Sequence, residues 1–273
     1  MSLIITASDF STTGNNAVNY ACALAAAYRS EVVIIHTFIM PVMFSEIPVP
    51  ATLINDEQND ATAQMRVLTA DLQAANPGLD IKGKIAYGDL ADALEEYEQS
   101  NNNPWVVVIG NNSQENDTAF DSTLLETLKN SKYPVLAVPS GTTYQQVKKM
   151  CFTYDNKYPG SDLALMQLRD LQQRLGAVLH ILYANPDVPN QDNHKGIDSN
   201  SQAILADADP KYHYSYGVSI ENTINTFVTE EKPDWLVVMP RRHSFFESIF
   251  HKSHTKAMAH SINIPLLALH ENN

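Results

Sequence analysis

The chain has 273 residues, 44% of them hydrophobic, and a formal net charge of −13. That length suits two domains of ordinary size, and the acidic balance excludes nucleic acid and anionic membrane as general partners, because holding a phosphate backbone takes a cationic face. Two cysteines, Cys22 and Cys151, fit a reducing cytoplasm better than a disulfide scaffold, and neither a basic-then-apolar leader nor an apolar run near the roughly 20 residues of a membrane span is visible.

In chain order, short apolar runs alternate with helical patterns. The first half predicts strands over residues 3–7, 31–36, 81–86, 105–109 and 134–138, with helices over 15–28, 55–75, 91–99 and 122–130. The second half predicts strands over 150–153, 178–183, 212–216, 235–239 and 265–269, with helices over 162–175, 201–208, 220–230 and 248–261. Long loops are expected over 38–54 and 185–200.

The two halves are one pattern written twice. Asn103-Pro104-Trp105-Val106-Val107-Val108-Ile109-Gly110 resembles Pro233-Asp234-Trp235-Leu236-Val237-Val238-Met239-Pro240. Tyr133-Pro134-Val135-Leu136-Ala137-Val138-Pro139 resembles Ile264-Pro265-Leu266-Leu267-Ala268-Leu269-His270. Such a repeat is domain-sized rather than solenoid-sized. Near-continuous β-branched runs indicate strands buried on both faces, as in parallel sheets, and alternation with helices gives right-handed βαβ crossovers. The expected fold is α/β: two tandem doubly wound domains, 1–140 and 148–273, divided where Ser-Gly-Thr-Thr leads into a polar stretch.

The segment Thr6-Ala7-Ser8-Asp9-Phe10-Ser11, at a strand end before a helix, resembles the opening of universal stress proteins, and both closing strands resemble the last strand of that family. The resemblance covers nearly the whole chain as two copies. It implies a five-stranded parallel sheet in each copy, flanked by helices, with strand order 3-2-1-4-5. It also implies a crevice above strands one and four, where doubly wound sheets bind ligands. ATP-binding members carry an Asp at the end of strand one and a glycine-rich loop after strand four. Glycines there let backbone N–H groups approach phosphates at a helix start.

Asp9 and Asp155 match the strand-one Asp in the two copies. The phosphate loops depart from the pattern. The first copy reads Gly110-Asn111-Asn112-Ser113 and later Asp121-Ser122, with Gly110 alone of the expected glycines. The second reads Pro240-Arg241-Arg242-His243 and later Lys252-Ser253, with none. Asp9 and Asp121 would repel a triphosphate, so the first copy is expected to bind ATP poorly. In the second, Arg241, Arg242, Lys252 and Lys256 could hold a phosphate-bearing ligand by side chains alone. Candidate ligand contacts are therefore Asp9, Gly110, Ser113, Ser122, Asp155, Arg241, Arg242, His243, Lys252 and Ser253.

Each candidate has a plainer use. Ser11, Ser122 and Ser253 suit helix N-caps, and Asp9 and Asp155 suit helix-start contacts, since no paired base or nucleophile accompanies either. His251 and His254 can share a helix face, but no carboxylate or thiol completes a zinc set, so no metal is expected. Trp105, Trp235 and Cys22 read as packing residues. The resulting expectation is a cytoplasmic stress-response binding or regulatory module, without catalysis and without a certain cofactor. The alternative is an adenine-nucleotide switch or slow nucleotide hydrolase. The resemblance further implies that the copies pair as a pseudo-dimer within the chain, through residues 135–138 and 266–269; a homodimer of whole chains and a protein partner are further expectations.

Overall fold

A computed structural model describes residues 2–38, 51–99, 102–111, 127–128, 131–154, 160–185, 196–240 and 263–270. The chain divides into two compact units, one of residues 1–127 and 138–144, the other of 128–137 and 145–273.

In the first unit, β1 (Ser2–Ala7), β2 (Ser30–Phe38), β3 (Ile81–Tyr87) and β4 (Pro104–Asn111) carry the sheet. Strand β1 pairs in parallel with β2 and β4, and β2 with β3. Val106 to Ile109 are fully buried, as a parallel strand covered on both faces requires. Helix α1 (Thr12–Tyr28) places Ala17, Val18, Ala21, Leu24 and Ala25 in the core at helical spacing. It begins three residues earlier than the sequence pattern suggested, because the Ser11 hydroxyl accepts from the Gly14 N–H at 3.0 Å and caps it. Helices α2 (Ala51–Ala75) and α3 (Leu90–Gln99) follow β2 and β3. The start of α2 takes up part of the long loop expected there.

The second unit repeats the plan. Strands β6 (Lys149–Tyr154), β7 (Val178–Asn185), β8 (Lys211–Tyr216), β9 (Trp235–Val238) and β10 (Leu266–Ala268) alternate with α4 (Asp162–Leu175), α5 (Ser199–Leu205) and α6 (Ile220–Glu231). A 3-10 turn over Ala206–Ala208 replaces the last part of the expected helix 201–208. All four neighbouring strand pairs here are parallel. Asp234 Oδ2 accepts the backbone N–H groups of Lys148 and Lys149 at 2.7 and 2.8 Å, which fixes the start of β6 beside β9.

With β5 (Val135–Pro139) counted, the order is β3-β2-β1-β4-β5 in the first copy and β8-β7-β6-β9-β10 in the second. This is the 3-2-1-4-5 order anticipated from the sequence. One segment crosses the sequence repeat: residues 128–137 belong to the second unit. There Val135, Leu136 and Ala137 pair antiparallel with Ala268, Leu267 and Leu266. Buried His270 lies beside this pair, with Nδ1 3.1 Å from the Tyr133 carbonyl and Nε2 2.5 Å from that of Leu128.

The anticipated helices over 122–130 and 248–261 lie outside the described residues, apart from 127 and 128. Trp235 is fully buried, and Trp105 donates to Ser30 Oγ at 3.1 Å, so both serve packing. Cys22 and Cys151 are buried free thiols, and burial pushes Cys22 up to about 11. Among the described residues no helix is long and apolar enough to cross a membrane.

Candidate functional site

In the first unit the strand order reverses beside β1, so a crevice opens above the carboxyl ends of β1 and β4. Asp9 stands at its edge, two residues past β1. One carboxylate oxygen, Oδ1, accepts the Ser11 backbone N–H at 3.0 Å and the Ser11 hydroxyl at 2.6 Å. Since that hydroxyl in turn caps α1, Asp9 organises the helix start. Its Oδ2 accepts no bond from a described residue.

Between Asp9 and Ser11, Phe10 holds φ at 63°, a left-handed conformation that a side chain rarely tolerates. Such a residue costs about 1–3 kcal/mol unless its surroundings hold it. Here three contacts do. The Phe10 N–H donates to Ser8 Oγ at 3.1 Å, its carbonyl accepts from Asn15 Nδ2 at 3.2 Å, and its ring stacks on His36 with centroids 4.5 Å apart. His36 Nδ1 lies 2.8 Å from the Ser8 carbonyl, which can only accept, so Nδ1 carries the proton. In the neutral ring Nε2 is then the bare nitrogen.

Two glycines shape the same corner. A Cβ on Gly14 would sit 2.3 Å from Asp9 Oδ1, so only glycine lets the helix turn approach the carboxylate. A Cβ on Gly110, at the end of β4, would sit 2.8 Å from the Thr13 carbonyl oxygen. Gly110 thus allows α1 to close on the sheet. Asn16 Nδ2 donates to the Pro139 and Thr142 carbonyls at 3.2 Å each, tying α1 to the segment after β5.

Of the residues singled out in the sequence, the structure brings Asp9 and Gly110 to the two ends of this helix turn. Ser113, Ser122, Asp155, Arg241, Arg242, His243, Lys252 and Ser253 lie outside the described residues, as do Asp121, Lys256, His251 and His254. Phe10, Gly14 and His36 escaped the sequence reading. An Asp-x-Ser-x-x-Gly spacing could have pointed to Gly14, but nothing local links His36 to Phe10.

The corresponding corner of the second unit is built differently. Ser161 caps α4 by accepting from the Ala164 N–H at 3.3 Å. Gly160, at φ 93°, meets the Met239 thioether, whose sulfur would lie 2.5 Å from a Cβ. Tyr154 donates a short bond to the Asp198 carboxylate, which caps α5 through Ser201. Burial and this bond push the Tyr154 hydroxyl up to about 12. Burial works to raise Asp198, but bonds from Ser201 and Tyr154 outweigh it and hold the carboxyl below its usual range. Among the described residues no group of three or more His, Cys, Asp or Glu side chains could hold a metal ion.

A parallel sheet whose strand order reverses beside the first strand, with helices between successive strands, defines a doubly wound α/β protein. The model of the universal stress protein family matches residues 1–139, half of the chain, and the chain belongs to that family. Two solved structures of whole-chain coverage repeat the fold. A universal stress protein from Archaeoglobus fulgidus DSM 4304 is 13% identical, with 99% of this chain and 97% of that one covered and a TM-score of 0.65. A functionally unknown protein from Pseudomonas aeruginosa PAO1 is 11% identical over 99% of this chain and 92% of its own, with a TM-score of 0.50. A universal stress protein in complex with cAMP is 22% identical, covering 51% of this chain and 98% of its own, with a TM-score of 0.39. No curated protein matches the chain.

Proposed function

We propose that this tandem universal stress protein is a cytoplasmic stress-response module that acts by binding, through ligand or protein contacts, and does not catalyse a reaction. The two copies work as a pseudo-dimer within one chain, and whole chains pair as a homodimer. The first crevice binds ATP poorly. The observation that carries this is the role of Gly110. The one glycine kept at the end of β4 is taken up by the close approach of Thr13, and Asn111 and Asn112 follow it where bare α-carbons would be needed for phosphate. The second copy, with Arg241, Arg242, His243, Lys252 and Ser253, is the better candidate for a phosphate-bearing ligand, on charge alone.

A second reading, an adenine-nucleotide switch or slow hydrolase, draws on Asp9 Oδ2, which accepts no bond from a described residue and stands at the strand ends where such ligands bind. Calorimetric titration with ATP and AMP separates the two. The binding-module reading expects no saturation by the first crevice below about 1 mM, equivalent to about −4 kcal/mol. Saturable binding well below that concentration, lost in Asp9→Ala but kept in Arg241→Ala/Arg242→Ala, establishes the switch instead. A turnover assay comparing wild type with Asp9→Ala tests hydrolysis; equal rates exclude that carboxylate from chemistry.

A further inference from the structure

On the face of the second unit covered by α6, two imidazoles meet. His180 of β7 is 3% exposed, and its Nδ1 lies 2.9 Å from Nε2 of His213 on the edge strand β8. The rings are nearly parallel, 6° apart, with centroids at 5.0 Å. Phe227 of α6 sets its ring edge-to-face against both, at 5.7 and 4.8 Å. The other ring nitrogen of His180, Nε2, is buried and has no hydrogen-bond partner among the described residues.

Proton counting limits what this pair can be. A neutral pair has two N–H groups for four nitrogens. If His180 donates through Nδ1 to His213 Nε2, the buried Nε2 of His180 is bare, which is the less costly way to leave it unpaired. Any singly charged pair has three N–H groups. To keep the shared bond, one facing nitrogen must stay bare, so His180 Nε2 must carry a proton in the interior with no acceptor. The alternative points two N–H groups at each other. Each charged form therefore breaks the bond or strands a buried donor.

We propose that the His180–His213 pair is an acid-released latch: neutral, it holds edge strand β8 and helix α6 on β7, and charged, it lets that edge open while the first unit stays closed. The charged groups facing the pair favour the neutral form. Lys149 on β6 and Lys211 on β8 oppose a further positive charge. Glu231 at the end of α6 attracts one, but its carboxylate is engaged 2.7 Å from Lys149 Nζ. Burial, then the His213 charge and the two lysines, push His180 down to about 4, and burial lowers His213 as well. An unfolded or opened imidazole titrates near about 6.5. The opened edge thus binds more protons between those values, and the latch weakens as pH falls from about 6.5 toward about 4.

The test is hydrogen exchange on the full-length chain, corrected for intrinsic rates. Between pH 7.5 and 5, exchange of the β8 amides is expected to rise roughly tenfold or more while that of β1 stays constant. In His180→Leu/His213→Leu the β8 response should be flat. An unchanged β8 rate in wild type overturns the proposal, as does an equal acid response in the double variant. If that variant fails to fold at pH 7.5, imidazole titration of wild type by NMR decides. Both rings titrating below the ordinary imidazole value of about 6.5 supports the latch, and either ring titrating at or above that value rejects it.

Discussion

Gly14 and Asp9 define how tightly the first helix start is made. Gly14→Ala would press a methyl group into the carboxylate, so the turn must shift, and a loss of about 1–3 kcal/mol is expected in urea unfolding. Gly110→Ala meets backbone rather than a movable side chain, and a similar loss is expected, with no gain or loss of nucleotide affinity in the first crevice. Asp9 was legible in the sequence because a carboxylate after an apolar strand and before a helix is a local pattern. The role of Gly110 was not. A glycine after a strand reads as a phosphate contact, and only the packed helix shows that Thr13 needs the room. Phe10 and His36 were illegible for the same reason: their stack joins two strand ends far apart in sequence.

Helix ends carry the clearest expectations at the next scale up. Helix α4 ends on Gly176 at φ 64°, where glycine is at ease. Helices α1 and α6 end on Arg29 at φ 53° and Lys232 at φ 48°, where a Cβ is strained. Arg29→Gly and Lys232→Gly should each stabilise the protein by about 0.5–1 kcal/mol, read as a raised Tm. Asp234→Ala should act the other way. It leaves two backbone donors at the start of β6 without their charged acceptor, a loss of about 1.5–3 kcal/mol in chemical denaturation. The elements themselves were legible because parallel strands buried on both faces must be apolar throughout. Even β8 was found, since Tyr212, Tyr214 and Tyr216 alternate with His213 and Ser215. Ser11 was read as a cap and is one, but the other boundaries were less legible, because caps such as Asp198 and Ser219 act through bonds to residues three positions on.

For the molecule as a whole, the sequence repeat and the compact units do not share a border. Residues 128–137 lie in the first copy but complete the second unit. A fragment of residues 145–273 therefore lacks the strand that covers β10, and the His270 ring loses both carbonyls. It is expected to aggregate or self-associate in size-exclusion chromatography, whereas a fragment of residues 128–273 should remain soluble and show a cooperative melt. Equal behaviour of the two fragments would mean that β5 contributes little to the second unit.

The pairing of β5 with β10 also has a consequence for biosynthesis. The ribosome releases Val135 long before Ala268, so the earlier strand must wait for its antiparallel neighbour while nearly a whole domain is translated. During that interval an apolar edge is open to other nascent chains. The slowest and most hazardous step of maturation should thus be the late docking of a three-residue strand, a closure of high contact order, and chaperone dependence should concentrate there.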